Sequence, residues 1–138
     1  MYNIDKFVRT RGIQVPKNIL IVDDSAAVRR ALRDLLEQQE GWQVSGEAAN
    51  GREAIEQAQR VRPDVVVLDL SMPVMNGLET ARELNHRFPS VPVLMYTDFE
   101  TRYLERAAWS AGVTSIVSKS ESTEVLVRNL HALVDIAA

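Results

Sequence analysis

The sequence predicts an α/β fold in which a doubly wound, five-stranded parallel sheet is covered by helices on both faces. Two observations lead to this fold class. Short apolar runs alternate strictly with longer amphipathic runs, and the short runs are apolar at almost every position. Strands of that kind are buried on both faces, as in a parallel sheet packed between helices. The length of 138 residues is that of one domain.

Five strands are predicted from the short apolar runs. The most apolar run, "DVVVLD", carries four consecutive apolar residues that end on an aspartate. The run "WQVSGEAA" is less apolar and predicts a weaker strand. In chain order, the five predicted strands are 18–22, 42–49, 64–69, 91–97 and 114–119.

Five helices are predicted because apolar residues recur at spacings of three and four between and after the strands. Ser25 can cap the first helix, and Asn50-Gly51 marks a turn before the second. Gly41 and Gly112 end the first and fourth helices. The apolar stripes are, helix by helix, Val28, Leu32, Leu35 and Leu36; Ala54, Ile55, Ala58 and Val61; Leu78, Ala81, Leu84 and Phe88; Leu104, Ala108 and Ala111; and Leu126, Leu130, Leu133 and Ala137.

The chain divides into an N-terminal extension, residues 1–16, and one domain, residues 17–138. No internal repeat or linker interrupts the domain. The extension is interpreted either as disordered or as docked on the domain through an apolar turn formed by Ile4, Phe7 and Val8.

Composition excludes several classes of function. A formal net charge of −3 gives no general attraction to nucleic acid or to anionic membranes. The absence of cysteine excludes disulfides, thiolate nucleophiles and cysteine-ligated metals. No apolar run approaches the length of a membrane span, and the N-terminus lacks the apolar stretch of a signal peptide. We therefore expect a cytoplasmic protein that binds neither nucleic acid nor membrane directly.

Polar residues stand at the carboxyl ends of four predicted strands, where open parallel sheets bind their ligands. Asp23 and Asp24 follow the first strand, Asp69 ends the third, Thr97 the fourth and Lys119 the fifth. A lone aspartate after a strand is usually a helix cap or a turn former, and a lone lysine there usually just reaches water, but together these residues indicate a site. Clustered carboxylates repel one another unless a cation holds them, and oxygen ligands without His or Cys suit Mg²⁺.

The motifs "ILIVDDS", "VVVLDLSMPVMNG", "VLMYT" and "SIVSKS" resemble, in this order, those of the receiver domains of two-component response regulators. The resemblance covers roughly residues 17 to 137. It implies a flavodoxin-like receiver fold and phosphorylation-dependent signalling. The "KS" pair and the sequence of the middle section are most similar to those of the receivers in the subfamily with LuxR-type DNA-binding output domains.

The resemblance implies a role for each polar residue at the strand ends. The phosphorylated aspartate falls on Asp69, the switch hydroxyl on Thr97 and the lysine on Lys119. The implied chemistry is phosphoryl transfer to Asp69 followed by self-dephosphorylation, without catalysis on an external substrate. The implied cofactor is Mg²⁺, held by Asp23, Asp24, Asp69 and the backbone carbonyl of Ser71.

The resemblance also implies partners. The phosphoryl donor would be a histidine kinase or a phosphotransfer protein, and phosphorylation would switch a homodimer or an output-domain contact, with transcription regulation as one such output. In this family, the face built from the fourth helix, fifth strand and fifth helix often makes such contacts. Trp109 lies off the apolar stripe of the fourth helix, so we expect it to be exposed on this face. Ile116 in the fifth strand belongs to the same expected interface.

Three residues depart from the family pattern. Asp98 follows Thr97 where a small residue is usual, Ile116 stands where many members carry a switch aromatic, and Ser120 replaces the usual proline. These departures leave open an alternative, a receiver-like interaction module that acts without phosphorylation.

Two other classes of protein fit the sequence less well. A flavin-binding protein needs a Ser/Thr/Gly-rich phosphate loop after the first strand, and a phosphatase of the haloacid dehalogenase type normally carries a second Asp where this chain has Ser71.

Overall fold

A computed structural model describes residues 8–9, 12–13, 15–72, 75–98 and 102–136. Within these residues, one sheet contains five parallel strands in the spatial order 2-1-3-4-5. This order and the helices on both faces confirm the predicted doubly wound fold class. The strands are β1 (Lys17–Val22), β2 (Trp42–Ala48), β3 (Val65–Leu68), β4 (Val93–Thr97) and β5 (Ser115–Ser118).

Five helices connect and follow the strands, and side-chain caps fix where three of them begin. The Ser25 hydroxyl accepts a hydrogen bond from the backbone amide of Val28, 3.2 Å away. Asn50 and Asn76 cap the second and third helices in the same way. Each cap satisfies an amide that the first helical turn leaves without a partner. The helices are α1 (Ala26–Glu37), α2 (Gly51–Val61), α3 (Gly77–Arg87), α4 (Arg102–Ser110) and α5 (Thr123–Ile136).

Two hydrophobic layers enclose the sheet. One layer packs α1 and α5 against one face, and the other packs α2, α3 and α4 against the opposite face. Alternate residues of β1 point to different layers: Ile19 and Ile21 belong to the first, and Leu20 and Val22 to the second. The buried strands are thereby held on both faces, so the residues at their ends have rigid supports.

Two short strands come before β1 in the chain. Val8–Arg9 pairs antiparallel with Gly12–Ile13 in a separate two-stranded sheet. The expectations for Ile4 and Phe7 fall outside the described residues, as does Ala137 of the last predicted stripe. Among the residues that are described, no helix is both long and apolar enough to cross a membrane.

A close approach of backbone segments brings α3 against the loop that follows β3. The amide of Gly77 donates a 2.7 Å hydrogen bond to the carbonyl oxygen of Leu70. A Cβ atom at Gly77 would lie 2.5 Å from both the carbonyl oxygen of Asp69 and the Cα of Leu70. Only glycine fits at this contact, so the start of α3 is packed directly on the backbone of the candidate site.

Candidate functional site

Three carboxylates meet between β1 and β3, where the winding of the sheet reverses. One carboxylate oxygen from each of Asp23, Asp24 and Asp69 lies within 4.8 Å of the others. The backbone amides of Asp23 and Asp69 donate to the carbonyl oxygens of Ala48 and Val22, at 3.0 and 2.9 Å. These bonds extend the strand ladders up to the two aspartates. Asp23 and Asp69 are 2% and 6% exposed, whereas Asp24 faces solvent.

Lys119 brings a positive charge to this cluster from the end of β5. Its ammonium nitrogen lies 2.9 Å from Oδ2 of Asp23 and 3.4 Å from Oδ1 of Asp69. Its backbone amide donates a 2.8 Å hydrogen bond to the carbonyl oxygen of Thr97. The lysine is therefore tied to β4 through its backbone and to the carboxylates through its side chain.

The electrostatic balance of the site remains negative, because one ammonium group faces three carboxylates. Burial raises the pKa of Asp69, the charge of Asp23 raises it further, and Lys119 offsets only part of the effect. Burial alone would lower the pKa of Lys119, but its hydrogen bond with Asp23 and the charges of Asp23 and Asp69 outweigh burial and raise it. Lys119 therefore stays protonated at neutral pH, and the site has capacity for another cation.

The donor set fits a hard divalent cation. The cluster offers carboxylate oxygens from Asp23, Asp24 and Asp69. Mg²⁺ sits about 2.0 to 2.1 Å from its oxygen ligands, so oxygens that share one ion lie at most about 4.2 Å apart. The separations of up to 4.8 Å need only a small side-chain adjustment to match this geometry. The acidic pocket is thus chemically suited to Mg²⁺.

The other residues singled out from the sequence end or follow strands β3, β4 and β5. Thr97 is fully buried at the end of β4, and Asp98 beside it is exposed. Ser71 is exposed on the loop after β3. The hydroxyl of Ser120 is exposed and lies 2.7 Å from that of Ser118, and no peptide bond among the described residues is cis. The departures at Asp98 and Ser120 therefore leave the carboxylate cluster and its lysine assembled.

The residues expected at an interface lie on α4 and β5. Trp109 on α4 is 50% exposed, as predicted from its position off the apolar stripe. Ile116 in β5 is partly buried and packs against the hydrophobic layer that includes α4. A partner for this surface remains a prediction.

Two charged residues beside the acidic loop were not foreseen from the sequence: one contacts the loop and the other holds the first in place. Arg29 on α1 donates a 2.6 Å hydrogen bond to the backbone carbonyl of Asp23, and its Nε lies 3.0 Å from Oε1 of Glu47 on β2. The sequence carried one indication of this contact: a glutamate lies inside the strand segment "WQVSGEA", and a charged side chain in a half-buried strand needs a partner.

The fold and the site define a class: a doubly wound domain with an acidic, lysine-containing pocket at the switch point of its sheet. Residues 19–131 match the family model of the response regulator receiver domain. The chain therefore belongs to the response regulator receiver family, which acts in phosphorylation-dependent two-component signalling, and the resemblance inferred from its motifs is confirmed.

Individual relatives agree with this assignment. The chemotaxis protein CheY of Thermotoga maritima is 35% identical over 115 residues, which cover 83% of this chain and 95% of CheY. A LuxR-family response regulator from an Aurantimonas species superposes with a TM-score of 0.84 at 31% identity, covering 87% of this chain and 86% of that one. This neighbour supports the expected likeness to receivers of LuxR-type regulators.

A further relative is much longer than this chain. The protein-glutamate methylesterase/protein-glutamine glutaminase of Alkalilimnicola ehrlichii is 51% identical over 78 residues, which cover 56% of this chain but only 20% of that protein. The similarity thus concerns one segment of the methylesterase. Receiver-family membership fits a signalling domain that has no reaction on an external substrate.

Proposed function

We propose that Asp69 accepts a phosphoryl group from a histidine kinase or a phosphotransfer protein, and that phosphorylation switches contact with a partner or an output domain. The observation that carries this proposal is the position of Asp69. Its carboxylate is nearly buried at the end of β3, clustered with Asp23 and Asp24, and 3.4 Å from the Lys119 ammonium. Membership of the receiver family supports the same role.

The proposed reaction is transfer between phosphohistidine and a carboxylate. An oxygen of Asp69 attacks phosphorus, the bond from phosphorus to the imidazole nitrogen breaks, and its electron pair returns to the imidazole. The product is an acyl phosphate. Such transfer depends mainly on positioning and on stabilising charge on the phosphoryl oxygens. Lys119 is already beside the acceptor oxygen and supplies part of that charge.

Magnesium would be held by Asp24, Asp69 and the carbonyl of Ser71, with Asp23 acting through water. Both oxygens of Asp23 already have partners: Oδ2 accepts from Lys119 at 2.9 Å, and Oδ1 accepts from the amide of Ser25 at 2.9 Å. When bound, the ion offsets the carboxylate charge that would otherwise repel a phosphoryl group. In an NMR titration, the variant Asp24→Asn should weaken Mg²⁺ binding, and unchanged affinity would refute this ligand assignment.

The proposed switch follows from the link between β4 and β5. The hydroxyl of Thr97 and the ammonium of Lys119 would pair with the new phosphoryl oxygens, and the hydrogen bond from the amide of Lys119 to the carbonyl of Thr97 makes the two loops move together. The loop after β4 leads into α4, which carries the exposed Trp109, and the loop after β5 leads into α5. The face of α4, β5 and α5 is thus the proposed contact for a second copy or for an output domain. Similarity to LuxR-family regulators supports transcription regulation as the output.

The signal would end by hydrolysis within the same site. Water attacks phosphorus, inorganic phosphate leaves, and the carboxylate of Asp69 is restored. Each chain therefore dephosphorylates itself and turns over no external substrate.

Incubation with acetyl phosphate and Mg²⁺ tests the proposal by intact mass. The wild type should gain one phosphoryl group, which hydroxylamine should remove, and Asp69→Asn should gain none. Asp64→Asn is the matched control. Asp64 is the residue just before β3, at the end of the strand opposite to Asp69, and it accepts a hydrogen bond from the amide of Asn18. Labelling of Asp69→Asn would refute the acceptor assignment. A wild type that stays unlabelled would instead favour the interaction module that acts without phosphorylation.

A further inference from the structure

We infer that Arg29 and Glu47 form a positioning pair that orients the Asp23–Asp24 peptide for metal binding. Neither residue is a metal ligand here: Arg29 acts through the backbone of the acidic loop, and Glu47 acts by holding Arg29. The inference rests on the proposed function, because it assigns them a role in the magnesium site that phosphorylation requires.

The pair connects α1, the edge strand β2 and the acidic loop. One terminal nitrogen of Arg29 donates to the carbonyl oxygen of Asp23 at 2.6 Å. Nε of the same guanidinium lies 3.0 Å from Oε1 of Glu47. The side chains of Arg29 and Glu47 are only 18% and 30% exposed, so solvent competes weakly for these bonds.

A second arginine fixes the other side of Glu47. Nε and a terminal nitrogen of Arg33 lie 2.9 and 2.8 Å from Oε2 of Glu47. Burial alone would raise the pKa of Glu47, but the hydrogen bonds from Arg33 and Arg29, together with their charges, outweigh it and lower the pKa. Glu47 is thus an ionised anchor with both oxygens engaged, and Arg29 cannot swing freely away from Asp23.

A bulge in β2 places Glu47 on the face where the arginines are. Ile19 pairs with Val44, but Leu20 pairs with Gly46, so Ser45 is an extra residue in the ladder. Regular alternation from Val44, which packs in the layer with α1 and α5, would turn Glu47 toward the opposite face. The extra residue reverses the alternation of side chains between the two faces of the sheet, so Glu47 contacts α1 instead.

The hydrogen bond to Asp23 bears on Asp24 because the peptide between them is planar. Fixing the carbonyl oxygen of Asp23 fixes the plane that contains the nitrogen and Cα of Asp24. The direction from which the exposed Asp24 carboxylate reaches the pocket then depends on Arg29. Groups that orient metal ligands in this way often change metal affinity by about 10- to 100-fold.

Arg33 is a matched control inside the same cluster. It bonds the same glutamate, but its remaining contacts are the carbonyl of Val44 and the carboxylate of Glu37. The variants Arg29→Met and Arg33→Met each remove one of the two positive charges that contact Glu47. Loss of a nearby cation by itself favours Mg²⁺ binding, because the carboxylates become less neutralised. Only Arg29→Met also releases the carbonyl of Asp23.

The experiment measures Mg²⁺ affinity by NMR titration of amide shifts, together with the free energy of unfolding in urea without metal. We expect Arg29→Met to weaken Mg²⁺ binding by about tenfold and Arg33→Met to change it less than about twofold. The charge-conserving Arg29→Lys and the isosteric Glu47→Gln should fall between wild type and Arg29→Met. These conservative variants also provide the measurement if Arg29→Met does not fold.

The outcomes separate this inference from the proposed function. If the wild type binds Mg²⁺ and is phosphorylated while all Arg29 and Glu47 variants bind Mg²⁺ as tightly as wild type, the positioning pair is refuted and the phosphoacceptor role stands. An equal loss of affinity in Arg29→Met and Arg33→Met would also refute it, because the loss would then come from the weakened contacts of Glu47 and not from release of the Asp23 carbonyl. A wild type without Mg²⁺ affinity would refute both.

Discussion

Lys119 donates a 2.9 Å hydrogen bond to Asp23, a residue 96 positions earlier in the chain. The contact joins the end of β5 to the end of β1 across the mouth of the sheet. The same ammonium lies 3.4 Å from Asp69, so in the resting protein it is closer to Asp23 than to the proposed acceptor. One cation thus holds two buried carboxylates together, and the stability of the site depends on it.

Replacing Lys119 by methionine should lower the free energy of unfolding at neutral pH by about 1.5 to 3 kcal/mol, the usual cost of losing a hydrogen bond to a charged group. The difference from wild type should shrink as the pH falls through the raised pKa of Asp69, because a protonated Asp69 no longer needs the cation. Urea unfolding between neutral and acid pH measures both effects. Lys17→Met, at the opposite end of β1, is the control. Equal stability of Lys119→Met and wild type at neutral pH would contradict the argument.

The substitution Asp69→Asn should have the opposite effect and stabilise the metal-free protein. Burial and then the charge of Asp23 raise the pKa of Asp69, so folding disfavours its ionised form. This penalty is complete above the raised pKa and vanishes below the ordinary pKa of an aspartate. The gain in unfolding free energy should therefore be largest at neutral pH and fade on acidification.

The control for this prediction is Asp64→Asn. Asp64 accepts a 2.7 Å hydrogen bond from the amide of Asn18 at the other end of the sheet, so its replacement should not stabilise. Thermal or urea unfolding in the presence of a chelator makes the comparison. A destabilised Asp69→Asn protein would show that Lys119 outweighs burial at this site.

Much of the site could be predicted from the sequence because topology alone brings strand ends together. Asp23, Asp69 and Lys119 each follow an apolar run, and in a parallel sheet the carboxyl ends of such runs share one edge. The structure brings these three side chains within contact distance. The exposure of Trp109 was equally predictable, because helical periodicity placed it off the apolar stripe.

The contacts that periodicity cannot predict are those set by an irregularity or by competition between charges. The bulge at Ser45 reverses the alternation of β2, and no local pattern marks it, so the contact of Glu47 with Arg29 was not foreseen. The preference of Lys119 for Asp23 over Asp69 depends on differences of a few tenths of an ångström. Strand order and residue spacing do not resolve distances of that size.

Gly51, the first residue of α2, should not tolerate a side chain. A Cβ atom there would overlap the Thr80 hydroxyl and approach the Cβ of Met75 to 2.6 Å. Thr80 is fully buried and its hydroxyl donates to the carbonyl of Asn76, so it cannot move away freely. We expect Gly51→Ala to cost about 1 to 3 kcal/mol of unfolding free energy, as overpacking does. It should also shift the NMR signals of the loop before α3.

Gly46→Ala is the matched control for Gly51→Ala. The nearest atom to a Cβ at Gly46 is Oε1 of Gln57, at 2.9 Å, and this is the end of a flexible side chain. Its replacement should cost much less, because Gln57 can turn aside and alanine reduces the entropy of the unfolded chain. Equal losses for the two variants in urea unfolding would show that the close approach of Gly51 to Thr80 and Met75 is not the decisive factor.

The last prediction concerns the face of α4, β5 and α5. Phosphorylation adds about −1.5 to −2 charge at the acceptor, and the linked loops after β4 and β5 pass the change to α4. Trp109 is 50% exposed there, and a tryptophan at the centre of an interface often contributes about 2 kcal/mol or more to binding. Trp109→Ala should therefore be phosphorylated normally but lose phosphorylation-dependent association with itself or with an output domain.

Sedimentation with and without beryllofluoride and Mg²⁺ measures this association, and Val15→Ala is the control. Val15 is the other large hydrophobic side chain found exposed among the described residues, at 86%, and it lies in the segment before β1. A loss of nonspecific hydrophobic association would affect both variants, whereas loss of a specific contact affects Trp109→Ala alone. If Trp109→Ala associates like wild type, or if wild type shows no association that depends on the phosphoryl mimic, the output surface lies elsewhere on the domain.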